Sequence, residues 1–139
     1  MSADPIADDV WRAMAAVVFD NRDAWKRDVI ETSGLPFSRI RVLRRLAKRP
    51  MTAKEIAEAA TMDAPATSVA VTDLEDRGLV VREADPNNRR CKVISLTDEG
   101  RRTVAGIEGV DDPAPPPFAA LSAEELRSLA AILAKLAAH

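Results

Sequence analysis

The chain has a single cysteine, Cys91, and a single histidine, His139. A lone thiol cannot close an internal disulfide, and a histidine at the last position, where chains fray, cannot supply a His-based triad or a zinc cage. No uninterrupted apolar run approaches the roughly 20 residues that cross a bilayer, so no membrane partner is expected. Residues 1–9 are acidic and lack the basic start and apolar centre of a signal peptide, which makes a cytoplasmic location the expectation. Carboxylates are plentiful, but they sit at helical surface spacing beside Lys and Arg, where solvated faces explain them. These absences argue against an enzyme, and no cofactor or metal is expected. What is present is a 139-residue chain, 47% hydrophobic and 30% charged, the composition of one globular domain with or without an oligomerising extension.

A net charge of -2 would argue against nucleic acid if it were evenly spread, and it is not. Residues 34–102 hold fourteen basic and ten acidic side chains, net +4, whereas residues 1–33 and 103–139 are each net -3. Within the middle, Arg39, Arg41, Arg44, Arg45, Lys48 and Arg49 fall in a stretch without acids, and Arg89, Arg90 and Lys92 form a second group. The first group either faces a polyanion or merely solubilises a helix; composition leaves both open.

Apolar spacing divides the chain further. Asp4 and Pro5 make an N-cap and first turn, and Ile6, Val10, Met14, Val17, Val18, Asn21, Trp25 and Val29 recur at helical spacing up to Gly34, which predicts one long helix. A second helix starts near Pro36, carries Phe37, Ile40, Leu43, Leu46 and Ala47 on one face and a basic opposite face, and ends at Pro50. Thr52-Ala53-Lys54-Glu55 has the capping-box pattern and predicts a short helix over 53–60. Asp63 with Pro65 starts the next, with Val69, Val71 and Leu74 as its apolar contacts, and Gly78 ends it in a left-handed turn. Residues 79–83 and 91–96 then read as a hairpin whose tip is Asp85-Pro86-Asn87-Asn88 and two arginines. Thr97 caps a helix to about Ile107, residues 109–118 form a stiff Pro-rich linker, and Ser122-Ala123-Glu124-Glu125 opens a last helix with Leu126, Leu129, Leu133 and Leu136 along one seam.

The expected fold is therefore mainly α with a small β-hairpin wing: a winged helix-turn-helix over 35–108, flanked by helices at 1–34 and 119–139 that expose more apolar surface than a monomer of this size easily covers. The second helix of such a pair fits a major groove about 12 Å wide, and a basic loop beside it can enter the narrower minor groove. Four stretches, Met51-Thr52-Ala53-Lys54-Glu55-Ile56-Ala57, Leu74-Glu75-Asp76-Arg77-Gly78-Leu79-Val80, Asp85-Pro86-Asn87-Asn88-Arg89-Arg90 and Ser95-Leu96-Thr97-Asp98-Glu99-Gly100, resemble the MarR family of bacterial transcriptional regulators. The resemblance implies a homodimer in which the terminal helices interlock and two winged domains straddle a pseudo-palindromic double-stranded DNA operator.

Carried over residue by residue, the resemblance places Thr52 and Lys54 near the DNA backbone, where they position the protein without selecting sequence. Ala64, Pro65, Ala66, Thr67, Ser68 and Thr72 match the base-facing part of the recognition helix, Arg89 the wing arginine of the minor groove, and Arg90 a phosphate contact. Two departures stand out. Val69 occupies a position where many members carry a basic residue, so no arginine of this helix offers a bidentate guanine contact, and Asn88 replaces the usual wing Asp. The family also implies a small aromatic or phenolic effector; Trp11, Met14, Phe37, Ile40 and Arg41 are candidates to line its pocket, with Arg41 taking a carboxylate, or are simple core. Cys91 beside cations invites a redox reading, but no second cysteine resolves a sulfenic acid, and a half-buried strand residue explains it as well. The expectation is a sequence-specific DNA-binding regulator, a repressor released by its effector. The alternative is a winged-helix protein-interaction or scaffold module without specific DNA binding.

Overall fold

The computed structural model describes residues 3–139. Its elements run α1 (Pro5–Asp20), α2 (Asp23–Ser33), α3 (Phe37–Leu46), β1 (Met51–Thr52), α4 (Ala53–Ala60), α5 (Ala64–Asp76), β2 (Val80–Asp85), β3 (Asn88–Leu96), α6 (Asp98–Glu108), a 3-10 turn (Pro116–Ala120) and α7 (Ala123–Ala137). The strands form one antiparallel sheet in the order β1-β3-β2.

Local side-chain chemistry sets most helix starts. Asp4, Asp63 and Thr97 each accept a bond from a first-turn amide. Thr52 and Ser122 form full capping boxes with Glu55 and Glu125. Each satisfies amides that have no partner within the helix. Gly78 turns the chain out of α5 at φ +76°, a conformation that a side chain would strain. Gly100, in the first turn of α6, lies so close to the Leu79 carbonyl that a Cβ there would overlap it, which lets α6 seat directly against the start of β2.

One core ties α2 to the winged helix-turn-helix. Trp25 and Val29 of α2 join Ile40, Leu43 and Leu46 of α3, Ile56 of α4, Val71 and Leu74 of α5, Val80 and Ile94 of the sheet, and Val104 and Ile107 of α6. Trp25 meets Phe37 edge to face at 6.0 Å between ring centres, and the Arg22 guanidinium lies 3.8 Å from the indole centre, both favourable for a ring of this size.

Several expectations are corrected. The long first helix is two, broken at Asn21 and Arg22: the Asn21 amide donates to the Val17 carbonyl at 2.8 Å, and this side-chain bond replaces the one the backbone would otherwise make. The break redirects α2 into the core. The α3 helix stops at Leu46, short of Pro50, with Ala47 as its C-cap, and the restriction a proline places on the residue before it keeps Arg49 out of helical backbone. The freed chain then pairs Met51 with Ile94 and Thr52 with Val93, so the two-stranded hairpin gains a third, two-residue strand. Val69, expected to be a core contact, is 61% exposed. The Pro-rich segment winds into the 3-10 turn at Pro116, where a proline costs no hydrogen bond in the first turn, and Asp112 forms an ion pair with Arg22 that fastens the segment to the α1–α2 junction.

Helices α1 and α7 differ from the rest: neither buries a residue. Ile6, Trp11, Val17 and Phe19 on α1, and Ile132, Leu133 and Leu136 on α7, are exposed. Among the described residues, no helix is long and apolar enough to cross a membrane.

Candidate nucleic-acid interface

Helix α5 presents two faces. Thr67, Ala70, Val71 and Leu74 are buried against α3, α4 and the sheet, while Ala64, Pro65, Ser68, Val69 and Thr72 form an exposed stripe on the opposite side, as a period of 3.6 residues requires. Thr67 is the clear correction among the proposed base contacts. It is 1% exposed, and its hydroxyl donates to the Asp63 carbonyl at 2.8 Å, one turn back along the helix. It holds the start of α5 and cannot reach a base. Ala66 is exposed beside the Asp63 cap, to which its amide donates at 2.7 Å.

At the base of this stripe stands the N-terminus of α4. The Thr52 hydroxyl accepts from the Glu55 amide at 3.2 Å, and the Thr52 amide donates to the Glu55 carboxylate at 3.1 Å. That backbone donor, followed by Arg49 at 2.8 Å, holds the Glu55 carboxyl below its ordinary range. Lys54 projects from the first turn, exposed and without an ion-pair partner among the described residues.

The wing completes the surface. Strands β2 and β3 stay in register from Val80 opposite Leu96 to Ala84 opposite Lys92, after which Asp85 pairs with Asn88. Arg89, Arg90 and Cys91 are therefore unpaired and form a bulge, which throws a strand outward and re-aims its side chains. Asn88 holds the bulge: its side-chain oxygen accepts from the Arg90 amide at 3.2 Å, an acceptor role that needs no carboxylate. Arg89 and Arg90 are exposed, and neither side chain has an acidic partner among the described residues. Between α4, α5 and the wing lies an open groove of about 360 Å³, with Lys54, Ser68, Arg82, Cys91 and Lys92 on its walls.

The first basic cluster resolves differently. Arg39 bonds Asp73 at 3.0 Å, Arg41 donates to the Ala60 carbonyl, Arg44 lies 5.1 Å from the Trp25 ring centre, and Arg49 pairs with Glu55. Three of these six cations hold α3 to its neighbours, and Arg49 ties the segment after α3 to α4. Asp73 takes bonds from Arg39 and, one turn along, Arg77 at 3.1 Å, and those two guanidinium groups depress its carboxyl.

The five expected effector residues do not converge. Ile40 is fully buried and Trp11 is 68% exposed on α1; Phe37 packs on Trp25, Arg41 is committed to Ala60, and Met14 is half-buried on α1. Ile40 and Phe37 belong to the core, whereas Trp11 and Met14 lie on the uncovered α1. Conversely, Lys92 of the second basic group lines the groove together with Arg82, which the sequence patterns do not single out. Arg82 shares the inner sheet face with Val80, and a cation at an inner-face position of an alternating strand was the available signal.

Residues 33–90 match the MarR family model. Over that segment, from the end of α2 to the wing, the chain is similar to the MarR family. Its match to YwhA of Bacillus subtilis (strain 168), described as an uncharacterized HTH-type transcriptional regulator, is 36% identical over 87 residues, 62% of this chain and 63% of that protein. The matched segment thus spans less than two thirds of the curated relative. Among solved structures, the MarR-family regulator Sco3205 of Streptomyces coelicolor, in complex with DNA, is 26% identical at a TM-score of 0.62, over 99% of this chain and 89% of that one. NadR in complex with 4-hydroxyphenylacetate is 26% identical at a TM-score of 0.63, over 99% and 95%. The MarR-family match ends at the wing, so it covers the segment from α3 to Arg90 and leaves α1 and α7 outside it.

Proposed function

We propose that the protein is a homodimeric transcriptional regulator that binds double-stranded DNA at a pseudo-palindromic operator and represses from it until a small aromatic or lipophilic effector is bound. The observation that carries this reading is that three features border one groove: Ser68 of the exposed α5 stripe, Lys54 at a capped helix start, and Cys91 of the arginine bulge of the wing. A helix of this width enters a major groove, the α4 N-terminus and Lys54 engage phosphate, and Arg89 and Arg90 extend to the adjoining minor groove. The Sco3205 complex supports DNA as the ligand.

The dimer rests on α1 and α7. Their exposed apolar side chains are covered if two copies interlock through these helices, and a two-fold arrangement places two recognition helices about 34 Å apart, one turn of duplex. The NadR complex supports an aromatic carboxylate as effector class. Binding must favour one spacing of the recognition helices over another to change DNA affinity.

In vitro selection from fragmented genomic DNA tests the reading: the wild-type chain should enrich an inverted repeat, and enrichment of no common site sinks it. Titration with random duplex separates a regulator from a protein-docking module, because only the regulator shows salt-sensitive nonspecific binding. Arg89→Ala should weaken binding to all sequences and reduce the slope of log K against log salt by about 1 per chain. An unchanged slope places the wing away from phosphate.

A further inference from the structure

The recognition helix is short of the charge its task requires. From Ala64 to Asp76 it carries no Lys or Arg and three carboxylates, Asp73, Glu75 and Asp76. Asp73 is neutralised by Arg39 and Arg77. The stripe that faces outward offers only methyl groups and the hydroxyls of Ser68 and Thr72.

A guanidinium nevertheless stands on that stripe. Arg82 belongs to β2, directly opposite Ile94 of β3, on the sheet face that turns toward α5. Its side chain crosses to the helix, where Nη2 donates to the Thr72 hydroxyl at 2.8 Å and Nε lies 3.7 Å from the Glu75 carboxylate. One hydrogen of Nη2 is thereby occupied. The other, and both of Nη1, meet no acceptor among the described residues, and the side chain lines the groove between helix and wing. Two parallel N–H donors at the end of a planar group, braced from behind by a hydroxyl and a carboxylate, match the O6 and N7 acceptors on the major-groove edge of guanine.

We propose that Arg82 is a specificity-determining residue of this protein: it reads a guanine in each half-site from the wing strand, supplying the cation that the recognition helix lacks, with Thr72 and Glu75 as its positioning residues. The assignment rests on the DNA-binding reading above. It also gives Thr72 a second part, because its hydroxyl oxygen accepts from Arg82 and so orients the guanidinium.

Selection from a random-core duplex library, run in parallel with wild type, Arg82→Lys and Arg82→Gln, tests it. Wild type should enrich a site with one strongly preferred guanine per half-site. Arg82→Gln should bind that duplex on the order of ten- to a hundredfold more weakly, lose the preference at that one position, and keep its affinity for random duplex within about threefold. Arg82→Lys should retain nonspecific binding and recover little of the preference, because a point charge lacks the fork. A probe with 7-deazaguanine at the preferred position, which removes only the N7 acceptor, should weaken wild type and leave Arg82→Gln unaffected, so the result does not depend on how well a variant folds. If Arg82→Gln enriches the same site with undiminished preference, or loses specific and random binding equally with a lower salt slope, Arg82 is a structural or phosphate contact and the assignment is overturned. If wild type enriches no site, the regulator reading falls and takes the assignment with it; a wild-type site that Arg82→Gln shares overturns the assignment alone.

Discussion

Helices α3 and α7 are both amphipathic, yet α3 buries Ile40, Val42, Leu43 and Leu46 whereas α7 buries no residue. The same contrast separates α2, with Trp25 and Val29 inside the core, from α1, which leaves Ile6, Val10, Val17 and Phe19 in solvent. The winged region from α2 to α6 thus closes on itself. Its core is continuous, and Arg39, Arg41, Arg44 and Arg49 are tied to carboxylates, a carbonyl and an indole. The two terminal helices have the pattern of buried elements without the burial. An apolar stripe stabilises a fold only where something covers it; one chain covers the core, and on the proposed dimer the stability of the ends depends on protein concentration.

Core truncation should break the contrast most strongly on the winged side. Leu74 is fully buried on α5 among α3, α4 and the sheet, and Leu74→Ala should lower unfolding free energy by about 2 to 5 kcal/mol in denaturant titration. Loss below about 1 kcal/mol would show that the site collapses freely. Next in size is Gly100→Ala, whose new methyl meets the Leu79 carbonyl and should cost about 1 to 3 kcal/mol, read as a lower Tm. On the other side, Ile132→Asp on α7 should leave the unfolding free energy of the winged core within about 0.5 kcal/mol while shifting light scattering from dimer to monomer mass. A mutant that remains dimeric would move the interface elsewhere.

The smallest effect is electrostatic. The Arg39 and Arg77 guanidinium groups hold Asp73 below its ordinary 3.8, and the Thr52 amide with Arg49 holds Glu55 below 4.5. A carboxyl depressed in the folded state contributes stability that is complete above its unfolded value and is lost as pH falls through the lower folded value. Tm should therefore decline on acidification below about pH 4, and Asp73→Asn should make that decline shallower. Both groups are open to solvent, which screens these pairs and keeps the change small. An identical acid limb in the variant would remove Asp73 from the account.

The interface was legible where the chemistry is local and obscure where it is not. Lys54 and Arg89 sit next to their own caps and turns, so position in the motif placed them on the surface. Thr67 and Ser68 are adjacent and chemically alike, and motif alignment could not tell which one faces out; the phase of α5 is set by what Val71 and Leu74 pack against, and that phase buries Thr67. Arg82 was passed over because its role needs Thr72, ten residues earlier, to lie beside it across a helix-strand contact. The Arg39–Arg49 cluster looked like one charged face, but Asp73, Ala60 and Glu55, each distant in sequence or on another element, divide it.

The chain's own order of residues determined where helices begin, since a Thr, Ser or Asp cap and its target amide are at most four residues apart and need no tertiary contact. It also determined the left-handed exit at Gly78 and the winged order of elements, because both follow from backbone sterics and apolar period. The short strand Met51–Thr52 and the three-residue bulge at Arg89 were decided only in three dimensions. In each, nearly balanced local preferences are settled by a distant partner: the β3 edge that pairs with Met51, and a strand register that Val80 and Leu96 anchor sixteen residues apart.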